Sequence, residues 1–171
     1  MRTQRVIAIG GSRPSREAYA PSDPLAGLLP AGNPRYLRDP WGAEDLSGIG
    51  GSHRVLVLGA GLAAVGVVLE LDDQGHHAPI RVLSSPALLP HSPRLAPAVA
   101  GRLAALLAAG RLELFAGEVR GAAAYGDTFV VDVLPHGRAL HSSERYDWIV
   151  NCSPASVARP HAPTITEHRW S

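Results

Sequence analysis

The clearest apolar run is Arg54 followed by Val55, Leu56, Val57 and Leu58, aliphatic with no polar alternation, which predicts a strand buried on both faces of a parallel sheet. Gly59, Ala60 and Gly61 then turn the chain. Leu62 to Leu71 continues as an Ala, Val and Leu helix that ends near Asp72, Asp73, Gln74 and Gly75, where Gly75 suits a left-handed cap. Pro79 to Ser84 predicts a second strand, and a βαβ unit from His53 to Ser85 has the usual length of about 30 residues. Ala96 to Ala109, closed by Gly110, predicts another helix, and Arg111 to Phe115 a third strand. Val119 to Leu134 alternates loosely around Gly121, Gly126 and Asp127, as in a small antiparallel hairpin or meander. Tyr146 to Val150 reads as a last core strand, and Val6 to Ile9, ending at Gly10 and Gly11, as a short first one.

Between Ser12 and Ser52 the pattern fails. Pro14, Pro21, Pro24, Pro30, Pro34 and Pro40 leave no room for a long helix or strand, so an irregular connection is expected. The whole predicts an α/β fold, Rossmann-like and three-layered, with a central parallel sheet and a small antiparallel meander. Its expected divisions are residues 1–52 (strand and Pro/Gly-rich connection), 53–154 (nucleotide-binding domain) and 155–171 (loose tail).

Composition narrows the chemistry. With 46% hydrophobic and 18% charged residues in 171, one globular domain is expected. A net charge of +1 supplies no field for nucleic acid or an anionic membrane, and neither is expected as a partner. All 16 basic residues are arginine, which excludes a P-loop lysine, a Schiff-base lysine and a Tyr-x-x-x-Lys pair. The single Cys152 forms no internal disulfide or thiolate zinc site, and cytoplasmic residence is expected. The apolar start of the chain is too short for a signal peptide core, and Val55 to Leu71 is too broken to span a membrane.

Gly59, Gly61 and Ala64 match the G-x-G-x-x-G/A dinucleotide fingerprint. Gly59 permits the tight turn, Gly61 lets a pyrophosphate approach the backbone, and Ala64 lets helix and strand pack closely. The helix N-terminus at Leu62 then offers free N–H groups and partial positive charge to phosphates. A merely structural turn is the other reading. The second strand ends at Ser84 and Ser85 without the acid that would accept from an NAD ribose, an absence that also counts against S-adenosylmethionine. Either these serines only end the strand, or they leave room for the 2′-phosphate of NADP, with Arg81 and Arg94 the nearby cations to read it. His76 and His77 are expected as solvated surface residues, Trp41 as packing, and Cys152 as a small buried hydrophobe. No catalytic acid, base or metal ligand set is assigned.

Taken in order, several segments resemble the bacterial FAD/NAD(P)-binding oxidoreductases related to flavin monooxygenases and pyridine-nucleotide oxidoreductases. They are Val6 to Gly10, Asp39 to Trp41, Val55 to Leu62, Gly75 and His76 with Pro79 and Ile80, Leu83 and Ser84 with Leu88 to Pro90, and Asp147 to Cys152. The resemblance implies a nicotinamide domain inserted into a flavin domain, with Val6 to Gly11 as the strand beside the flavin and Asn151 to Pro154 as the returning segment. The family's glycine before that proline is missing here, as are its arginines after Ser84. Its FAD fingerprint lies upstream of everything present, so a truncated or diverged relative is expected. The resemblance implies an NAD(P)H-binding module whose flavin comes from a missing domain or another subunit, with Gly59, Gly61, Leu62 and Ala64 on the pyrophosphate and Ser84 and Ser85 at the ribose. The alternative is a non-catalytic fragment or docking remnant without its own flavin site.

Overall fold

The computed structural model describes residues 23–30, 32–40, 45–84 and 95–153. Among these residues, seven strands and two helices follow in the order β1 (Tyr36–Leu37), β2 (Val55–Leu58), α1 (Leu62–Asp73), β3 (Ile80–Ser84), α2 (Pro97–Ala108), β4 (Leu112–Tyr125), β5 (Thr128–Pro135), β6 (Ser142–Tyr146) and β7 (Trp148–Asn151). The sheet order is β1-β7-β2-β3-β4-β5-β6. Pairing is parallel from β1 through β4 and antiparallel from β4 through β6, so the α/β class holds, with a meander appended to a parallel sheet.

β2 lies between β7 and β3, parallel to both, and all four of its residues are buried. This explains the absence of polar alternation. Val55 and Val57 face α1, packing with Ala64, Val67, Val68 and Leu71. Leu56 and Leu58 face the other way, into a second core with Phe129, Val131, Val133 and Tyr146 of the meander. Three layers result: helices, parallel sheet, meander.

Both helices end in the same way. At α1, Gly75 has φ +81, its N–H donates to the Asp72 carbonyl, and the His76 N–H donates to Leu71. At α2, Gly110 has φ +68, its N–H donates to Leu107, and the Arg111 N–H donates to Leu106. These paired bonds are Schellman closures, which supply donors to carbonyls that a helix end otherwise leaves without partners.

The structure departs from the expected elements in three places. The third strand does not stop at Phe115: β4 runs to Tyr125, leaving its parallel pairing with β3 at Ala116 and pairing antiparallel with β5 from Gly117, with a bulge between Val119 and Gly121 inside the meander. The last core strand is shorter than expected, because Tyr146 ends β6 while Asp147 accepts the Arg54 N–H at 2.7 Å and separates it from β7. Ser142–Tyr146 itself is a mostly polar edge strand. Within the Pro-rich connection, the two residues of β1 pair with Ile149 and Val150, and Leu25, Leu29, Leu46 and Ile49 are buried. The expected strand at Val6 to Ile9, the tail from residue 155, and Trp41, Ser85, Leu88 to Pro90 and Arg94 lie outside the described residues.

Candidate dinucleotide site

At the carboxyl ends of β2 and β7 the chain builds the glycine turn. The Gly59 N–H donates to the Leu83 carbonyl of β3 at 2.7 Å, and the Cys152 N–H donates to the Leu58 carbonyl at 2.8 Å. Gly59 has φ +96, and a methyl group placed on it would lie 2.6 Å from the Cys152 carbonyl oxygen. Only glycine meets both demands. The segment after β7 therefore sits directly against the turn.

Gly61 is different. It is exposed, its φ is −77° and ψ −172°, and a methyl group added there would meet nothing within 4 Å. Gly61 is also the N-cap of α1, with no side chain capping the helix and no acidic residue in the first turn. The first helical bond runs from Val65 N–H to the Gly61 carbonyl at 3.2 Å. Helix geometry leaves the N–H groups of Leu62, Ala63 and Ala64 without intrahelical acceptors. An open backbone cradle thus meets the positive end of a helix dipole, an arrangement suited to an anion. Ala64 is 2% exposed and packed in the core, as expected of the third small residue, whereas the side chain of Leu62 is 70% exposed.

Ser84 ends β3 in a buried position, on the helix side with Ile80 and Val82. Arg81, considered above as a phosphate reader, points to the opposite face. It is bound to Glu113 and Glu144 and lies over the Phe115 ring at 5.3 Å. Burial alone would lower the Arg81 pKa, but the two carboxylates outweigh it and raise it. The guanidinium is committed to the meander, because strand alternation sends residue 81 away from the face that Ser84 takes.

Cys152 is buried as expected, and burial pushes its thiol up to about 12. Histidine 76 corrects the surface expectation. His76 is 1% exposed and its Nε2 lies 2.9 Å from the His53 carbonyl oxygen, while His77 is exposed. The physical reason is the Schellman closure, whose second residue past the cap folds back on the helix. Burial, the largest influence, lowers the His76 pKa against the raising effect of the His53 carbonyl; His77, Arg111 and His53 lower it further. Among the described residues no cluster of His, Cys, Asp and Glu could hold a metal ion, and no helix is long and apolar enough to cross a membrane.

The sequence marked Asn151 only as the start of the segment that follows the last strand, with no role of its own. This residue is 2% exposed at the end of β7, and its Oδ1 accepts the Ser153 N–H at 3.0 Å. A polar residue ending an otherwise apolar strand, two positions before a serine, was the available signal.

No family model and no curated protein matches the chain. Solved structures do. Reduced ornithine hydroxylase from Pseudomonas aeruginosa superposes with a TM-score of 0.62 at 14% identity, covering 81% of this chain and 44% of that one. A second structure of that enzyme gives 0.60 at 13% identity over the same shares. Ornithine N-hydroxylase from Kutzneria sp. 744, solved with reduced FAD, NADP+ and L-ornithine, gives 0.55 at 16% identity, again over 81% and 44%. The chain spans less than half the length of these enzymes. Over 81% of its own length, the chain shares the fold of part of these hydroxylases.

Proposed function

We propose that the chain is the NAD(P)H-binding module of an FAD-dependent oxidoreductase, holding a nicotinamide dinucleotide at the Gly59 to Gly61 turn. The observation that carries this reading is the open backbone at Gly61 leading into the uncapped N-terminus of α1. The turn also stands where the sheet branches, with β3 on one side of β2 and β7 on the other, the crevice in which open α/β sheets take their ligands. The fold shared with a hydroxylase solved with reduced FAD and NADP+ supports the same reading.

In this account Gly61, Leu62 and the first turn of α1 hold the pyrophosphate, Gly59 shapes the turn, and Ala64 keeps the helix close to β2. Ser84 stands at the ribose end, with Ser85 following it. When bound as NAD(P)H, the dinucleotide would supply a hydride to an oxidised flavin. The chain's own part is to bind and orient, and no side-chain acid or base is needed. Nucleotide binding is assigned to residues 53–154, with residues 1–52 as the crossing from a flavin half. β3 ends in serine rather than an acid, which removes the group that would select NADH and leaves room for the 2′-phosphate of NADPH, to be read by an arginine other than the ion-paired Arg81.

Calorimetric titration of the purified chain with NADPH and then NADH tests the proposal. Saturable heat is expected with NADPH and a weaker response with NADH; silence with both at about 1 mM would overturn it.

A further inference from the structure

We infer that Asn151 is a positioning residue for the glycine turn: by accepting the Ser153 N–H it holds the Cys152 carbonyl against Gly59 and so sets the backbone that leads to Gly61. The importance of this for a ligand rests on the function proposed above; the effect on the turn itself does not.

Two backbones confine Gly59. On one side β3 accepts its N–H through the Leu83 carbonyl. On the other side stands Cys152, whose carbonyl oxygen and carbon would lie 2.6 and 2.8 Å from a methyl group at Gly59. The first constraint belongs to a strand pair and is secured by the β2–β3 register. The second lies beyond the last strand residue. β7 pairs with β2 only as far as Asn151 opposite Leu58, so the ladder accounts for the Cys152 N–H but not for the direction the chain takes afterwards.

The Asn151 side chain accounts for that direction. An asparagine that accepts the N–H two residues on imposes an Asx turn, which curls the backbone across its own side chain. Here the curl spans Cys152 and sets its carbonyl against the turn. Asn151 is 2% exposed, a place where an amide is costly unless bonded, while the residues before it, Ile149 and Val150, are fully buried and apolar. An aliphatic side chain would suit that environment better and would leave the Ser153 N–H without its acceptor. The geometry requires no contact between Asn151 and a cofactor.

Amide exchange followed by NMR on the full chain tests this, with Asn151→Leu removing the acceptor and Asn151→Asp retaining it. In Asn151→Leu the Gly59 and Cys152 amides should exchange about fivefold faster or more, as expected for losing one ordinary hydrogen bond, and Asn151→Asp should restore protection. NADPH affinity should fall in the leucine variant and be retained in part by Asn151→Ser, which keeps an uncharged acceptor. Unchanged exchange at Gly59 in a folded Asn151→Leu protein would overturn the inference. If that variant does not fold, Asn151→Ser, whose shorter hydroxyl makes the same turn more weakly, should show intermediate protection at Gly59; wild-type protection there would overturn it equally. A chain whose Gly59 exchange responds but which binds no NADPH in any form would refute the cofactor proposal and leave the positioning role intact.

Discussion

The two fingerprint glycines are constrained by different things. Gly59 is held by the fold: its positive φ and the nearby Cys152 carbonyl exclude a side chain whether or not a ligand is present. Gly59→Ala should therefore destabilise the chain by about 1–3 kcal/mol from backbone strain alone, measured by denaturant unfolding. The fingerprint was legible from spacing, but spacing could not show that the segment after β7 enforces the first glycine. His76 was misread for a related reason. Adjacent histidines beside charged residues look solvated, yet the place of His76 relative to Gly75 in the helix ending buries it. Its lowered pKa makes folding favour the neutral ring, so the unfolded chain takes up the proton first. Stability should be fully present above the usual value of 6.5 and be lost as the pH falls from there through the depressed folded value. Thermal melts at pH 8, 6.5 and 5 should show a smaller acid loss in His76→Leu than in wild type; identical slopes would contradict the assignment.

Among the elements, the strands and helices with an unbroken or periodic apolar pattern were the legible ones. β2, α1, β3 and α2 fall where expected because burial on a parallel sheet demands such patterns. β6 was not legible, since Ser142, Ser143, Glu144 and Arg145 take their strand conformation from pairing with β5 rather than from their own apolar content. The continuity of β4 was hidden because Arg111 to Phe115 and Val119 to Leu134 read as separate segments; Gly117, between them, packs against the Leu134 carbonyl, and Gly121 follows the bulge. α2 is the least embedded helix: Leu106 is its one buried residue, and Arg102 ties it to Asp72 and Asp73 at 2.7 and 2.6 Å. Leu106→Ala should cost about 2–3 kcal/mol, as burial of a single leucine implies. In native-state exchange the amides of α2 should open before those of β2, and uniform protection across both would argue against a loosely attached helix.

For the molecule as a whole, the α/β class and the meander were readable from the order of apolar segments. The way the meander folds back was not. Phe129, Val131, Val133 and Tyr146 reach the face of the parallel sheet opposite the helices, a long-range contact that no local pattern reports. That layer takes up Arg81, so one expected part of the ribose end is used structurally instead. In the function proposed, the open turn at Gly61 admits a dinucleotide. Gly61→Val places a branched side chain where nothing lies within 4 Å, in a backbone conformation open to any residue, so the fold should be kept. The decisive measurement is NADPH calorimetry on wild type and Gly61→Val, with a melting curve for each. Saturable binding to wild type is expected, at least about tenfold weaker in the variant, with the variant folded and melting no more than a few degrees lower, as a valine N-cap implies. Equal binding by the two proteins would contradict it.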